Sequence, residues 1–287
     1  MSAPVGAAGD GTAAGDGILL GAVAYDPKVV TIWDGFRRWL EDRGLPFDYV
    51  LYSNYERQVL DLVAGRIDVA WNSPLAWVRA RRLAPDARAL VMRDTDRDLS
   101  SVVVVRADSP VVDVAGLAGR VVGTGAVDSP QATLLPLALL AGVEVTVRRF
   151  EIGVGLHGDH IGGERDAARA LMAGQVDAAC MIDGNHLLFT TEGTLPAGGT
   201  RVIARTAAYD HCNMSAVGPP SPLVDRFVSL LLDMDYGDPA VRPLLDLEGL
   251  KSWLPGRVSG YRLLESAVDA AGFYGPAGEV TADGYRP

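Results

Sequence analysis

The sequence predicts an α/β protein of two related lobes, each a mainly parallel sheet flanked by helices. Three observations support this. First, the pattern Ala-Gly-x-(Ile/Val)-Asp-x-Ala occurs twice, at residues 64–70 and 173–179. Each copy reads as a helix with apolar residues at helical spacing, a glycine stop at Gly65 or Gly174, and a short buried strand. Second, apolar β-branched runs alternate with helical periods through short links, the βαβα rhythm of parallel sheets. Third, each repeat strand runs into a polar segment, Asn72-Ser73-Pro74 in one and Asp183-Gly184-Asn185-His186 in the other. Open α/β sheets hold ligands beyond the carboxyl ends of their strands, so a site between the lobes is expected before any side-chain chemistry is weighed.

In chain order, residues 1–17 are rich in Gly and Ala without periodicity and read as a disordered tail. Residues 18–24 are a buried strand, Tyr25-Asp26-Pro27 a turn, and 30–43 an amphipathic helix stopped by Gly44. Residues 47–51 give the next strand. Ser53 and Glu56 have capping-box spacing and open the first repeat helix. Residues 75–83 look helical, and 101–106 form a β-branched strand that crosses between lobes. A linker, a short helix and a new strand occupy 108–125. Asp128-Ser129-Pro130 opens a helix through Ala141, stopped by Gly142, and 143–150 is a strand. A Gly-rich loop, 153–164, precedes the second repeat helix. Residues 202–205 form a strand, 206–219 return the chain to the first lobe, and 221–233, 244–253 and 261–271 read as helices before an irregular tail from 275. The first lobe is thus 18–106 plus 207–287, the second 107–206, with two crossovers as the hinge.

Composition narrows the function. A net charge of −10 and a pI near 4.9 argue against a nucleic-acid partner. No apolar run reaches the ~20 residues that span a bilayer, so no membrane insertion is expected. The N-terminus lacks a basic start and an apolar core, which reads as cytoplasmic, or as periplasmic or extracellular if a leader has been removed. Cys180 and Cys212 are too few for a disulfide scaffold.

The segments 21–25, 33–36, Tyr55, 63–74, 101–106 and 128–136 together resemble the type II periplasmic-binding-protein fold, within it the phosphonate-binding, PhnD-like branch of solute-binding proteins. The resemblance covers most of 18–235. It implies a binding protein of the ABC-transporter type that closes two lobes over a polar or anionic metabolite and, if exported, partners a membrane permease. It places Tyr25, Tyr55, Asn72, Ser73 and Ser129 at the cleft, and Asp183 joins them as a hydrogen-bonding group. In that branch the loop matching 128–131 is rich in Ser and Thr; here Asp128 stands in it, either as a carboxylate that repels a phosphonate or, equally, as an ordinary helix N-cap.

All four histidines lie between 157 and 211. His157, His160, Glu164 and His211 are candidate ligands for a divalent transition metal, because imidazole and carboxylate together suit such ions. Alternatively, His157, His160 and His211 could act as acid and base in a cytosolic enzyme, a lyase or decarboxylase on the same fold. The plain alternative is polar residues on a surface loop, since no two share a known zinc spacing. His186 reads as an ordinary loop residue, and Asp94, Asp96 and Asp98 as a solvated turn. Trp33 and Trp77 read as core; Trp71, beside Asn72, is the aromatic to watch.

Overall fold

The computed structural model describes residues 17–151 and 160–285. Two mixed sheets, each flanked by helices, form two lobes. The first contains strands β1 (Ile18–Val23), β2 (Phe47–Tyr52), β3 (Val69–Asn72), β4 (Arg88–Arg93), β10 (Asn213–Ala216) and β11 (Trp253–Pro255), in the order β11-β4-β10-β3-β1-β2. The second contains β5 (Ser101–Arg106), β6 (Val121–Thr124), β7 (Thr146–Arg149), β8 (Ala178–Ile182) and β9 (Thr200–Arg205), in the order β7-β6-β8-β5-β9. The core orders β2-β1-β3-β10-β4 and β7-β6-β8-β5-β9 match. In each, three parallel strands are followed by one antiparallel strand that has just crossed from the other lobe. The sequence pattern assigns 101–106 to the first lobe. Its pairing with β8 and β9 puts that strand in the second sheet instead.

The repeated motif has a backbone function. Helices α2 (Tyr55–Val63) and α5 (His160–Met172) carry the two copies, and Gly65 and Gly174 end them at φ +67° and +69°, where a Cβ would strain the chain. Ile67 and Val176 are buried beneath. The motif aspartate then fastens its strand to the neighbouring parallel strand, β1 in the first lobe and β6 in the second. Asp68 accepts the Leu19 amide at 2.7 Å and donates its own amide to the Leu19 carbonyl at 2.9 Å. Asp177 repeats the pair on Val121 at 2.9 and 2.8 Å. The same short sequence therefore sets the same strand register twice.

Other elements differ from the pattern in detail. Asn54, not Ser53, caps α2, its side chain accepting the Arg57 amide at 2.9 Å. The Asp183–His186 segment is not a loop but the first turn of α6 (Asp183–Thr191). Likewise His160 and Glu164 lie in α5, because its inner face, Ala167, Ala168 and Leu171, packs on the second sheet. His157 lies outside the described residues. The helix expected over 244–253 is shorter, α8 (Arg242–Glu248); Trp253 leaves it for edge strand β11, where its ring meets Trp71 edge-on at 5.7 Å.

Two crossovers, 94–100 and 206–212, join the lobes side by side. Leu99 and Tyr209 exchange both backbone bonds at 2.8 Å. Arg257 clamps both crossovers, donating to Asp210 at 2.6 and 2.7 Å and to Asp98 at 2.7 Å. A third connection is apolar. Helix α9 (Arg262–Ala270) places Leu264 and Val268 against Leu75 and Trp77 of α3 (Pro74–Leu83) and against Leu134 and Leu135 of the second lobe.

Candidate functional site

A cavity of about 440 Å³ lies between the lobes, floored by the crossovers. The first lobe lines it with Tyr25, Tyr55, Glu56, Trp71 and residues 73–76. The second contributes Asp128, Pro130, Gln131, His160, Ile161, Ile182, Gly184 and Asn185. The end of β4 supplies Arg93, the crossovers supply Thr95, Asp96, Leu99, His211 and Cys212, and the C-terminal segment adds Tyr274 and Tyr285.

Helix termini dominate the wall. Tyr55 and Glu56 open α2, Pro74 and Leu75 open α3, His160 and Ile161 open α5, and Gly184 and Asn185 lie in the first turn of α6. Four helices of nine or more residues thus present N-terminal ends to one cavity. Each end carries amides without intrahelical partners and the positive pole of the helix dipole. Ser73 caps α3, its hydroxyl accepting the Ala76 amide at 3.2 Å, and the Ser-Pro pairing fits a cap followed by a first-turn proline.

The floor is ionic. Arg93 donates to both Asp96 oxygens, from Nε at 2.5 Å and Nη2 at 3.0 Å, and from Nη1 to the Glu248 carbonyl at 2.9 Å. Its guanidinium lies 5.2 Å from the Trp71 ring centroid. Asp96 is 2% exposed, so the sequence reading of a solvated turn is wrong for it. Burial favours its neutral form, but Arg93 and His211 outweigh this and hold the carboxyl at about 2. His211 Nδ1 lies 3.2 Å from Cys212 Sγ and 3.5 Å from Asp96 Oδ1. Burial works against its charge; the Cys212 sulfur and Asp96 prevail and push it up to about 10. Arg93 and His211 are therefore cations at the cavity floor, with Asp96 between them. Burial pushes the Tyr25 phenol up to about 12 and the Tyr55 phenol well above its ordinary value, so both remain hydrogen-bond donors.

The structure brings together some of the residues singled out from the sequence. Tyr25, Tyr55, Ser73, His160 and His211 line the cavity. Asn72 lies behind the wall, fully buried, accepting from Gln58 at 2.8 Å and donating to Ser215 at 3.1 Å. Ser129 is also buried, its hydroxyl capping a π-helical turn, Pro130–Leu134, at the Ala132 amide. Asp183 is half-exposed and engaged by Arg205 at 2.5 and 3.2 Å. Glu164 is buried and accepts from the Ile182 amide at 2.9 Å and from Asn185 at 2.8 Å. Burial pushes its acid up to about 7 despite those donors. His186 bonds the Thr200 hydroxyl at 2.9 Å, an ordinary structural contact.

Arg93 has no sequence signal beyond its place at a strand end. Tyr285 hides in a tail without pattern. Trp71 was the aromatic beside a polar strand end, and it does line the cavity.

For a metal, Glu164 and His160 join no ligand cluster among the described residues, and His211 is grouped with neither. The three groups that do converge are Asp96, His211 and Cys212, within 4.8 Å of one another. Arg93 already occupies both Asp96 oxygens, and its fixed positive charge opposes a cation there. The donor set does not suit a metal ion.

The profile of the family described as "ABC transporter, phosphonate, periplasmic substrate-binding protein" matches residues 22–261. None of the curated proteins matches the chain. Among solved structures, PhnD1 from Prochlorococcus marinus in complex with methylphosphonate is 19% identical with a TM-score of 0.63, covering 89% of this chain and 98% of that one. A Xanthomonas citri protein bound to ATP is 17% identical with a TM-score of 0.67, over 89% and 98%. The aliphatic sulphonate binding protein SsuA from Escherichia coli is 16% identical with a TM-score of 0.51, over 89% and 84%. These likenesses show the fold, two mixed sheets in the type II periplasmic-binding arrangement.

Proposed function

Because the chain belongs to the phosphonate family of periplasmic substrate-binding proteins of ABC transporters, we propose that it captures an oxyanion-bearing metabolite between its lobes and delivers it to a membrane permease. The convergence of four helix N-termini with Arg93 and His211 on one cavity carries this reading. Positive helix poles and backbone amides are suited to phosphonate, sulfonate and phosphate groups. In this reading the oxyanion sits over the floor, within reach of Arg93, His211 and the first turns of α3, α5 and α6. The Tyr25, Tyr55 and Ser73 hydroxyls donate to it. Asn72 and Ser129 hold the wall from behind, and Asp183 keeps Arg205 in place.

The family is periplasmic. This does not support the cytoplasmic reading taken from the N-terminus, and the periplasmic or extracellular alternative is the consistent one. Ligand capture, rather than His-dependent catalysis, is also what the site favours, because the buried His211 is already charged and held by Asp96.

Isothermal titration of the purified protein with methylphosphonate, methanesulfonate and inorganic phosphate tests the proposal. At least one should bind with a Kd of about 1 μM or below, some 8 kcal/mol of binding free energy. Absence of both heat and thermal shift with all three at millimolar concentration would overturn it.

A further inference from the structure

The chain after α9 forms a strap. It folds back as a short hairpin: Tyr274 bridges Val280, the Thr281 amide donates to the Phe273 carbonyl at 3.0 Å, and Gly278 turns the chain at φ +74°. Phe273 and Tyr274 are buried, and Val280, Ala282 and Tyr285 pack beside them on the apolar seam. Arg79 of α3, itself buried, fastens the turn. Its Nε donates to the Gly278 carbonyl at 2.9 Å and its Nη1 to the Glu56 carbonyl at 3.0 Å, so one guanidinium ties the strap to the start of α2. Burying a guanidinium is costly unless its donors are used, and here two of them hold the strap in place.

The end of the strap runs between the lobes. The Tyr285 hydroxyl donates to Glu56 Oε1 at 2.6 Å, on the first lobe. One residue earlier, Gly284 stands against Arg149 of β7, on the second; a Cβ there would lie 3.6 Å from the guanidinium. Burial, then the Glu56 and Asp128 carboxylates, raises the Tyr285 phenol, so it remains a donor and keeps its hold on Glu56. The Tyr285 ring lines the cavity beside Tyr274, its centroid 5.2 Å from that of Phe273. A ring fixed by a hydrogen bond at its tip and an aromatic contact at its side cannot swing aside for a ligand without losing both. At about 440 Å³ the cavity is near the small end of the roughly 300–1,000 Å³ of ordinary ligand sites. The strap follows residue 261, where the family match ends, so that match does not account for it.

We propose that the strap, residues 273–285, closes one end of the cavity, and that Tyr285 limits how far a ligand extends from the oxyanion position. The site then takes compact anions and excludes those with a long or aromatic substituent. This inference rests on the oxyanion reading above.

Calorimetric titration with benzylphosphonate and 4-phenylbutylphosphonate, set against the tightest of methylphosphonate, methanesulfonate and phosphate, tests it. Both aryl compounds should bind the wild-type chain at least 10-fold more weakly than that small anion. Tyr285→Ala, and separately a chain ending at Ala282, should narrow the gap at least 10-fold for one of them, since a space vacated by a large apolar side chain takes an aromatic guest. Tyr285→Phe keeps the ring and should leave the gap within threefold. Circular dichroism establishes that each variant is folded. No gap in the wild type, or a gap unchanged in both variants that lack the ring, would overturn the size limit alone. Silence of the wild type toward all three small anions would overturn the oxyanion reading and this inference with it.

Discussion

Replacing Asp96 by asparagine isolates the central charge of the floor. The wild-type carboxylate is buried, takes two bonds from Arg93 and faces the His211 cation at 3.5 Å. Removing one partner of a buried ion pair costs about 3–5 kcal/mol, because the other charge is left without compensation. Arg93 keeps its bond to the Glu248 carbonyl and asparagine keeps one acceptor, so the low end, about 3 kcal/mol, is expected at pH 7. For a chain of this size that is a fall in Tm of roughly 6–10 °C. The pH dependence gives a second handle. A carboxyl held at about 2 against an ordinary 3.8 adds roughly 2 kcal/mol of stability above pH 4, which is lost as pH falls from about 4 toward 2. The variant should lack that part of the acid slope. Urea unfolding at a series of pH values, reading the midpoint at constant m, measures both. A loss below 1 kcal/mol at pH 7, or parallel acid slopes in the two proteins, would refute the reasoning.

Arg93→Gln should weaken binding of methylphosphonate at least 10-fold, about 1.4 kcal/mol, in titrations of protein shown to be folded by circular dichroism. Asp68→Ala and Asp177→Ala should each cost about 1–2 kcal/mol in urea unfolding, since each leaves a strand amide without its carboxylate acceptor. Glu164→Gln tests a burial effect of opposite sign. The wild-type acid is held near 7, so the native state resists ionisation that the unfolded chain undergoes above about 4.5, and wild-type stability falls by roughly 3 kcal/mol as pH rises through that window. The variant should be flatter between pH 4.5 and 7, and more stable than wild type at pH 8; an unchanged slope would count against the assignment.

The scaffold was legible because its signals are local. A helix period, a glycine stop and a buried strand all lie within each motif copy, and both copies fold as read. The antiparallel strands β5 and β10 were less so: a strand's partner is set by where the chain goes next, which the run 101–106 does not record. Helix starts were misplaced where residues with loop propensity, Asp183-Gly184-Asn185 and Ile161-Gly162-Gly163, are carried by tertiary packing. The site was half legible. Tyr25, Tyr55 and Ser73 stand just beyond strand ends, where position alone suggests a ligand. Arg93, Asp96 and Glu248 gain their meaning from one another across distances of up to 155 residues, and Tyr285 from folding back onto Glu56.

Duplication and chemistry also separate in space. Each motif aspartate is used up on a backbone amide, so the two repeats build matching frames and contribute no charge to the floor. The charged floor comes from the crossovers and from the end of β4 that leads into one of them, outside both motif copies. Those same crossovers are bridged at Leu99 and Tyr209 and clamped by Arg257, while α9 fills the seam between α3 and the second lobe with apolar side chains. Separating the lobes along that seam would expose Leu75, Leu134, Leu135, Leu264 and Val268 to water, at about 25 cal/mol for each Å² uncovered. Rotation about the bridged crossovers leaves the seam closed and needs only a few backbone torsions to change. The least costly opening is therefore one that turns on the floor residues themselves and parts α2 from α5 and α6. In the proposed reading, such a rotation would keep Arg93 and His211 near the pivot and facing the anion throughout, and would bring the helix ends that complete the cavity onto it only on closure.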